Sequence, residues 1–447
     1  MKTDLLIRNA GVYTQDTARR VLPRADVAVK DGKIAAVGAE LPCEAECVLD
    51  GTGKFLFPGM VNTHVHIFQS LLKGVGADHN LMDWIKLCTS RYGPKMTPGF
   101  QRAAARLAVM ECLKSGVTTL TEFFYTQQDP ELVPVIIEEM ERIGIRGIVV
   151  DAAYDCGLEY GTPAGYLYTA MDNIKRTERL CRQYHTPAHP NIRIWAGASM
   201  PWTTTEENLR LIAAFSRETG VPYSMHTLEA DDDNELNLKI KRMPLVLFLE
   251  KIGFLSDRFL AVHCVKLTKD EAEVFCRHGV KINYNPMANA YLGSGIPPIA
   301  FMRRLGMTIS MGTDGAASNN TSDMLETLKM GLLLQKAQAK RASVLSAQDM
   351  LDFATCDGAA AVHQESFTGS IEVGKSADLF LFDPDFVRST PVVDPVATLM
   401  YSSSQENVAA TIVAGKIVYE RGNFACGLSE QDVVAEAKAA AVQLLSL

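Results

Sequence analysis

The 447-residue sequence has no CxxC pair, no excess of basic residues and no long apolar run. Its ten cysteines are scattered singly, apart from Cys43 and Cys47, which is typical of reduced thiols rather than of a disulfide framework. The 44 lysines and arginines against 52 acidic residues give a net charge of −8, which argues against a nucleic-acid partner. No apolar run approaches the ~18 residues of a membrane span, and Asp4 and Arg8 interrupt the first apolar stretch, unlike in a signal peptide. We therefore expect a soluble, cytoplasmic protein without a membrane partner.

The two ends of the sequence are rich in short β-type segments. The apolar content of 47% is typical of a folded protein, and the length predicts one large domain and a smaller one. Asp31-Gly32 lies between alternating apolar residues, which is the strongest short-range signal for a hairpin. Turn signals at Gly374-Lys375 and Gly415-Lys416 divide similar segments near the far end. Because a few strands need a partner to bury a face, we expect residues 1–57 and 367–447 to form one composite β-sandwich domain.

Residues 58–366 alternate short apolar strands with helical segments. The spacings of Thr204 to Glu207 and of Thr268 to Glu271 each predict a capping box at a helix start, and a closing helix is expected over Ser429–Leu447. Repeated β-then-α units favour a parallel sheet, and eight of them over about 300 residues favour a (β/α)8 TIM-like barrel. The predicted strands are Met60–His64, Val117–Glu122, Gly147–Asp151, Ile192–Gly197, Pro222–His226, Phe259–His263, Val280–Tyr284 and Thr308–Met311.

Five polar side chains fall at the carboxyl ends of these strands, where barrels of this kind carry their reactive groups. His64 and His66 are two residues apart, so both imidazoles can face one ion. His226 ends the fifth strand, His263 ends the sixth and Asp314 follows the eighth. A lone histidine is more often structural, but imidazoles and a carboxylate together suit Zn²⁺ or Fe²⁺, so the cluster predicts a metal site. Solvated or structural roles are expected for the other histidines, His79, His185, His189, His278 and His363.

The segments PGMVNTHVH, MHTLE, AVHCV and GTDGAASNN carry a family resemblance. With IEVGKSADLFLFD near the end, they resemble the amidohydrolase superfamily, and within it the group of S-adenosylhomocysteine deaminases, atrazine chlorohydrolase and related aminohydrolases of nitrogen heterocycles. The resemblance implies that His263 lies close to the activated water and that Glu229 is the proton shuttle. It also implies a homo-oligomer, a dimer or larger. The metal ligands that it implies are His64, His66, His226 and Asp314.

The sequence favours one metal ion per chain. Binuclear relatives carry a bridging carboxylated lysine on the fourth strand, whereas residues 192–200 contain no lysine. A single divalent ion, Zn²⁺ in preference to Fe²⁺, can lower the pKa of water from about 16 to about 7. Glu229 follows His226 by three residues, so its carboxylate can lean over the same ion and carry a proton to a ring nitrogen, with Asp314 accepting the second proton. The alternative for Glu229 is a solvated acid at a helix start.

Three residues are candidate substrate contacts. Gln69, three positions after the HVH segment, can read a carbonyl or ring nitrogen, or can be an ordinary surface residue of a helix. Trp84 can stack on a flat ring or seat a loop helix in the core. Asn289 lies in a segment that resembles the seventh-strand segment of the group, although Ala288 stands where a serine is usual.

Two departures from the family pattern argue against a nucleoside substrate. The adenosine-type deaminases carry a carboxylate for the ribose hydroxyls, where this chain has no acid between Cys88 and Met96. Their fourth-strand motif also carries a histidine, and the segment Ala198–Trp202 has none.

We therefore expect a metal-dependent hydrolytic deaminase that releases ammonia from a planar, amino-substituted nitrogen heterocycle. A guanine-, pterin- or triazine-like ring is favoured over an adenosine derivative. The alternative is a hydrolase of the same superfamily with chloride or an alkylamine as the leaving group, as in atrazine degradation. A catalytically inactive scaffold that binds a partner would need a broken ligand set, and every expected ligand is present.

Overall fold

The structure is a computed structural model, and it describes residues 2–447. Its strands form two sheets, one from the middle of the chain and one from both ends. In chain order they are β1 (Lys2–Tyr13), β2 (Val21–Lys30), β3 (Lys33–Gly38), β4 (Glu44–Asp50), β5 (Phe55–Pro58), β6 (Met60–Val65), β7 (Val117–Phe124), β8 (Arg146–Ala153), β9 (Ile192–Ala198), β10 (Tyr223–Thr227), β11 (Phe259–His263), β12 (Lys281–Tyr284), β13 (Ile309–Met311), β14 (Leu379–Phe382), β15 (Val408–Val413), β16 (Lys416–Glu420) and β17 (Asn423–Phe424).

Helices follow most strands of the middle segment, and further helices lie after its last strand and at the end of the chain. In chain order they are α1 (Leu81–Leu87), α2 (Thr89–Tyr92), α3 (Pro98–Lys114), α4 (Leu132–Ile143), α5 (Ala170–Tyr184), α6 (Glu206–Thr219), α7 (Asp231–Lys241), α8 (Leu245–Lys251), α9 (Lys269–Arg277), α10 (Pro286–Tyr291), α11 (Ile299–Arg304), α12 (Met324–Ala339), α13 (Ala347–Ala354), α14 (Cys356–Ala361), α15 (Pro395–Ser402) and α16 (Glu430–Ser446).

The middle sheet is the predicted barrel. Strands β6 to β13 pair in sequence order and in parallel, and each predicted strand is observed within two residues of its expected bounds. The barrel nearly closes where β13 returns beside β6: Thr63 Oγ1 donates to the Met311 carbonyl (3.0 Å) and the Asp314 amide donates to the His64 carbonyl (3.0 Å). The strands are buried on both faces, as expected of a barrel covered by helices. Because all eight strands are parallel, their carboxyl ends lie at the same mouth of the barrel.

The ends of the chain form the predicted composite domain. Its nine strands make one hydrogen-bonded sheet, in the order β17-β16-β15-β14-β5-β1-β2-β3, with β4 beside β1. The two segments join at β5 and β14, which are antiparallel neighbours. On one face, residues such as Leu56 and Leu379 belong to a core of the sheet's own, and on the other, Phe57 and Phe380 pack into the barrel core. The two ends of the chain therefore contribute to one continuous mixed sheet, separate from the barrel.

The predicted turn and helix caps are observed, except that the cap of α6 lies one residue later than predicted. Asp31 and Gly32 have φ of 51° and 73° in the turn between β2 and β3, as the hairpin prediction requires. Thr268 forms the predicted capping box at α9, and Ser429 caps the closing helix α16. The prediction of Thr204 as the cap of α6 was wrong by one residue. Thr205 Oγ1 accepts from the Asn208 amide there, because Thr204 Oγ1 donates instead to a carbonyl of the preceding turn.

The cysteines and the helices bear on two expectations about the chain as a whole. All ten cysteines, which lie within the described residues, are free thiols. Over residues 2–447, no helix combines the length and the apolar character needed to span a lipid bilayer.

Candidate metal centre and cleft

The five predicted polar residues meet at the carboxyl ends of the barrel strands. His64 and His66 lie at the end of β6, His226 in β10, His263 at the end of β11 and Asp314 just after β13. His263 and Asp314 have φ of 74° and 63°, a left-handed conformation that residues other than glycine rarely adopt. These turns direct both side chains back over the barrel mouth, and such backbone strain is typical of functional sites.

The imidazole nitrogens and the carboxylate lie within reach of one ion. His66 Nε2 is 3.4 Å and His64 Nε2 is 3.6 Å from Asp314 Oδ1, and His66 Nε2 is 3.3 Å from His226 Nε2. The ligand atoms of His64, His66 and Asp314 lie within 4.8 Å of one another, and so do those of His64, His226 and His263. Distances of this size are those expected between ligands of a shared ion.

The surroundings of the cluster fit a cation. The Nδ1 atoms of His66 and His226 lie 2.8 Å from the Phe123 carbonyl and 2.6 Å from the Ser199 carbonyl. Because a carbonyl can only accept, both Nδ1 atoms donate and both Nε2 lone pairs point at the centre. Within the described chain, neither ring nitrogen of His64 has a hydrogen-bond partner. Burial lowers the pKa of all four cluster histidines, which favours the neutral form that binds metals.

Glu229 lies beside this cluster and is not a solvated acid. Its side chain is 4% exposed, and Oε2 is 3.4 Å from His263 Nε2. Its backbone amide donates to Asp233 Oδ2 (3.1 Å), and Asp233 Oδ1 also accepts from Trp202 Nε1 (2.9 Å). Burial, with the charges of Asp314 and Asp233, raises the pKa of Glu229 well above its usual value. A buried carboxyl group beside the cluster is positioned to exchange protons as a general acid and base.

Asn289, predicted as a substrate contact, lies behind His263. Its Nδ2 is 2.9 Å from His263 Nδ1, and Asn285 Nδ2 is 3.3 Å from the same atom. Because an amide nitrogen can only donate, Asn289 Nδ2 donates to Nδ1, and the ring proton of neutral His263 sits on Nε2, which faces Glu229 and Asp314. The structure thus places the Asn289 amide beside His263 Nδ1.

Gln69 and Trp84 both line a cleft that opens above the metal centre. Gln69 is buried, and its Nε2 donates to Tyr125 Oη (3.0 Å). A side chain at Gly315 would collide with the Gln69 amide, so the glycine there allows this close approach. Trp84 on α1 is also buried, and its Nε1 donates to the Ala317 carbonyl (3.2 Å), so it forms part of the cleft wall and is anchored in place.

Sequence reasoning missed the aromatic residues of the cleft. Tyr125 and Tyr154 come directly after β7 and β8, Tyr166 lies in the loop after β8, and Trp202 follows β9. Two of these tyrosines stand at the carboxyl ends of barrel strands, a position that indicates the active-site face of such a barrel. The residue type alone does not indicate a site, because tyrosines are common in cores and carry no ligand pattern.

The two departures from the adenosine-type pattern are visible in the cleft. Thr89, Ser90 and Ser199 line it, and only their hydroxyl and backbone groups are offered there. Of the described residues that line the cleft, Glu229 and Asp314 are the only acids.

Comparisons with known proteins place the chain in a family. A model of the amidohydrolase family matches residues 55–418. The 5'-deoxyadenosine deaminase of Methanothermobacter thermautotrophicus is 31% identical over 422 residues, which cover 94% of this chain and 95% of that protein.

Two solved structures share the whole architecture. An adenosine deaminase from Xanthomonas campestris with bound zinc has a TM-score of 0.92 at 26% identity, covering 100% of this chain and 99% of that one. Atrazine chlorohydrolase from Arthrobacter aurescens, also with zinc, has a TM-score of 0.90 at 25% identity, covering 98% and 100%. The predicted resemblance, barrel and hydrolase class are confirmed, and the chain belongs to the amidohydrolase family of metal-dependent hydrolases.

Proposed function

We propose that the protein is a mononuclear, metal-dependent deaminase that releases ammonia from an amino-substituted nitrogen heterocycle. The observation that carries the proposal is the buried Glu229 carboxyl, 3.4 Å from His263 Nε2 and beside a cluster that fits a cation. A buried carboxyl group next to a site for a Lewis acid can carry a proton from water to a ring nitrogen, which hydrolysis of a cyclic amidine requires.

In this proposal His64, His66, His226 and Asp314 hold one divalent ion, for which Zn²⁺ is the best candidate. When bound, such an ion supplies Lewis-acid activation of water, which makes a nucleophile available at neutral pH. The absence of lysine from β9 (Ile192–Ala198) supports a single ion, because no carboxylated lysine can bridge a second one there. The zinc in both structural neighbours supports the choice of metal.

The chain's own side chains move the protons. Glu229 accepts a proton from the attacking water and delivers it to the ring nitrogen beside the amino-bearing carbon. That carbon then becomes tetrahedral, and the proton on His263 Nε2 stabilises the oxygen that has been added. Asp314 accepts the second proton of the water and returns it to the amine. The carbon–nitrogen bond breaks, ammonia leaves and a carbonyl remains on the ring.

The substrate ring is an open choice between two groups. The absence of a cleft acid other than Glu229 and Asp314 among the described residues supports an oxopurine-, pterin- or triazine-like ring without ribose. The name of the Methanothermobacter relative, a 5'-deoxyadenosine deaminase, supports an adenine ring. We propose a free heterocycle as the substrate, and adenine derivatives are the alternative substrates against which it is tested.

The test is an ammonia-release screen with protein of measured metal content. The panel comprises aminopurines, oxopurines, pterins, triazines and adenosine derivatives. We expect ammonia from at least one free heterocycle, at a rate that depends on bound metal. No ammonia from any ring, with about one metal ion per chain, would contradict the deaminase.

A second candidate is hydrolysis at the same carbon with chloride or an alkylamine as the leaving group. The likeness to atrazine chlorohydrolase over 98% of this chain favours it. Matched triazines that carry chloride, alkylamine or amine at one ring position separate the two candidates. Chloride release that exceeds ammonia release from such a pair would favour the second.

Assembly and location are further parts of the proposal. The family resemblance supports a homo-oligomer, a dimer or larger, which light scattering of the purified protein measures. Ten free thiols support a reducing, cytoplasmic location, because disulfides are rare there.

A further inference from the structure

The charges of the cleft are confined to one end. Five of its lining residues, which we call the reactive floor, carry the titratable groups of the candidate site: His66, His226, Glu229, His263 and Asp314. Apart from tyrosine hydroxyls, the remaining lining residues within the described chain have no ionisable side chain. No lysine or arginine lines the cleft in residues 2–447.

A row of aromatic rings begins beside the floor and continues along the cleft. The ring centroids of His66 and Tyr125 are 4.8 Å apart, those of Tyr125 and Tyr154 are 6.4 Å apart and those of Tyr154 and Tyr166 are 5.6 Å apart. We call the three tyrosines the aromatic row. All three are buried, which raises the pKa of their hydroxyls and keeps them neutral.

The tryptophans of the cleft offer it only ring surface. Trp84 Nε1 is used by the Ala317 carbonyl and Trp202 Nε1 by Asp233 Oδ1. Their polar atoms therefore face the protein, and flat apolar surfaces remain for a ligand.

The nearby arginine and lysine side chains interact with other residues and do not line the cleft. Arg91 and Lys95 lie over the ring of Tyr92, at 5.2 Å and 5.1 Å from its centroid. Arg176 pairs with Asp151 at 2.9 Å. None of these residues lines the cleft, so an anionic substituent held at the cleft walls, away from the candidate metal centre, would have no lysine or arginine to pair with.

We propose that the part of the substrate beyond the reacting ring is uncharged, and that the cleft rejects carboxylate, phosphate and zwitterionic substituents. This inference rests on the proposed function and names the substrate class of the same site. An ionised group among the aromatic row would lose its water without gaining an ion pair, which is strongly unfavourable. An alkyl group or a second flat ring would instead bury apolar surface against the tyrosines.

A matched series of compounds tests the inference on the metal-loaded enzyme. The compounds share the best ring from the ammonia screen and differ only in one substituent: a short alkyl chain, the same chain with a carboxylate, or the same chain with an ammonium group. We expect kcat/KM to fall at least about 100-fold from the alkyl to either charged compound. Equal values across the series would overturn the proposal. A preference for the ammonium compound would also overturn it and would indicate cation–π recognition by the row.

A charge introduced at the cleft provides the reciprocal test. Ser90 lines the cleft and is only partly buried, so Ser90→Arg places a cation beside the substituent. We expect the ratio of carboxylate to alkyl turnover to rise at least about 10-fold, whereas Ser90→Gln, of similar length and no charge, keeps the ratio of the unaltered enzyme. An unchanged ratio in Ser90→Arg, with folding verified by circular dichroism, would count against the proposal.

The binding readout separates this inference from the proposed function. If no ring releases ammonia, the deaminase fails, and the same three substituents are then placed on the panel ring that binds most tightly by calorimetry, which still measures recognition. The alkyl compound is then expected to bind at least about 10-fold more tightly than the charged ones. Equal affinities, or no binding of the alkyl compound, would overturn the inference.

Discussion

The reactive floor and the walls of the cleft come from different parts of the barrel. The floor belongs to β6, β10, β11 and β13 and to the residues directly after them. The aromatic walls come from the loops after β6 to β9. The floor carries the ionisable groups of the candidate chemistry, whereas the walls are neutral and aromatic. The reactive floor thus carries groups suited to catalysis, and the walls carry a surface suited to substrate selection.

This difference shows how one fold serves several substrates. Strand ends are held by the hydrogen bonds of the sheet, so they can position ligands and a proton carrier closely. Loops are free to vary without disturbing that geometry, so they can carry the selective surface. Asp233 connects the two parts, because it accepts hydrogen bonds both from the Glu229 amide and from Trp202 Nε1.

The largest expected effect is the loss of the floor's metal. His226→Ala removes one imidazole from the centre, and we expect the metal content to fall from about one ion per chain to below about 0.1, with activity at background. Elemental analysis of the purified variant measures this. His278→Ala is the control, since His278 pairs with Glu250 away from the cluster and should keep its metal. Full metal content in His226→Ala would remove His226 from the ligand set.

The next effect separates proton transfer from metal binding. Glu229→Gln keeps the shape of the side chain but cannot exchange a proton, so we expect kcat to fall by about 1000-fold with metal content unchanged. Steady-state ammonia release and elemental analysis on one preparation measure both. Full turnover by this variant would refute the role of Glu229 even with the fold correct.

A smaller effect is expected at the connection between floor and walls. The Asp233 carboxylate accepts hydrogen bonds from the Glu229 amide, Trp202 Nε1 and Asn237 Nδ2. Asp233→Asn has one acceptor oxygen in place of two, so the positions of Glu229 and of the Trp202 indole are both less firmly held. We expect kcat to fall about 10-fold, together with a weaker preference for the neutral compound of the charge series. If only one of the two quantities changes, floor and walls act independently of each other.

The smallest effect concerns the pH dependence of stability, which depends on the buried Glu122 next to the reactive floor. Glu122 is buried, accepts from the Ile67 amide (2.7 Å) and has its pKa raised by burial to about 8. The folded state therefore binds more protons than the unfolded state between about pH 4.5 and about pH 8, so the free energy of unfolding falls as the pH rises through this window. Glu122→Gln should flatten that slope, by up to about 1.4 kcal/mol per pH unit. Urea unfolding of both proteins across the window measures it, and identical slopes would contradict the shift.

The barrel and its floor could be predicted because their signals are local. Strands buried on both faces appear as apolar runs, and the two-residue period of a strand puts His64 and His66 on one side. The walls could not be predicted in the same way. The contacts of Tyr154 and Tyr166 depend on how a long loop folds, which leaves no periodic pattern in the sequence.

Two details show where local reasoning reaches its limit. Consecutive threonines before α6 offer equivalent caps, and only the preceding turn, which engages Thr204, selects Thr205. The sequence also did not indicate that Asn289, predicted as a substrate contact, lies on α10 with its amide nitrogen beside His263 Nδ1. Which side of a ring a helix approaches is decided by tertiary packing.

The pairing of β5 with β14 has a consequence for the order in which the protein is completed. Phe55 lies opposite Phe382 and Pro58 opposite Leu379, so the whole barrel is inserted between two hydrogen-bonded neighbours. During synthesis the first strands leave the ribosome early, but the partner of β5 emerges only after the last barrel helix. Until then β5 presents an open edge, which is a site for mispairing with other chains. A chain truncated within the barrel would keep that edge exposed, which favours aggregation of incomplete copies.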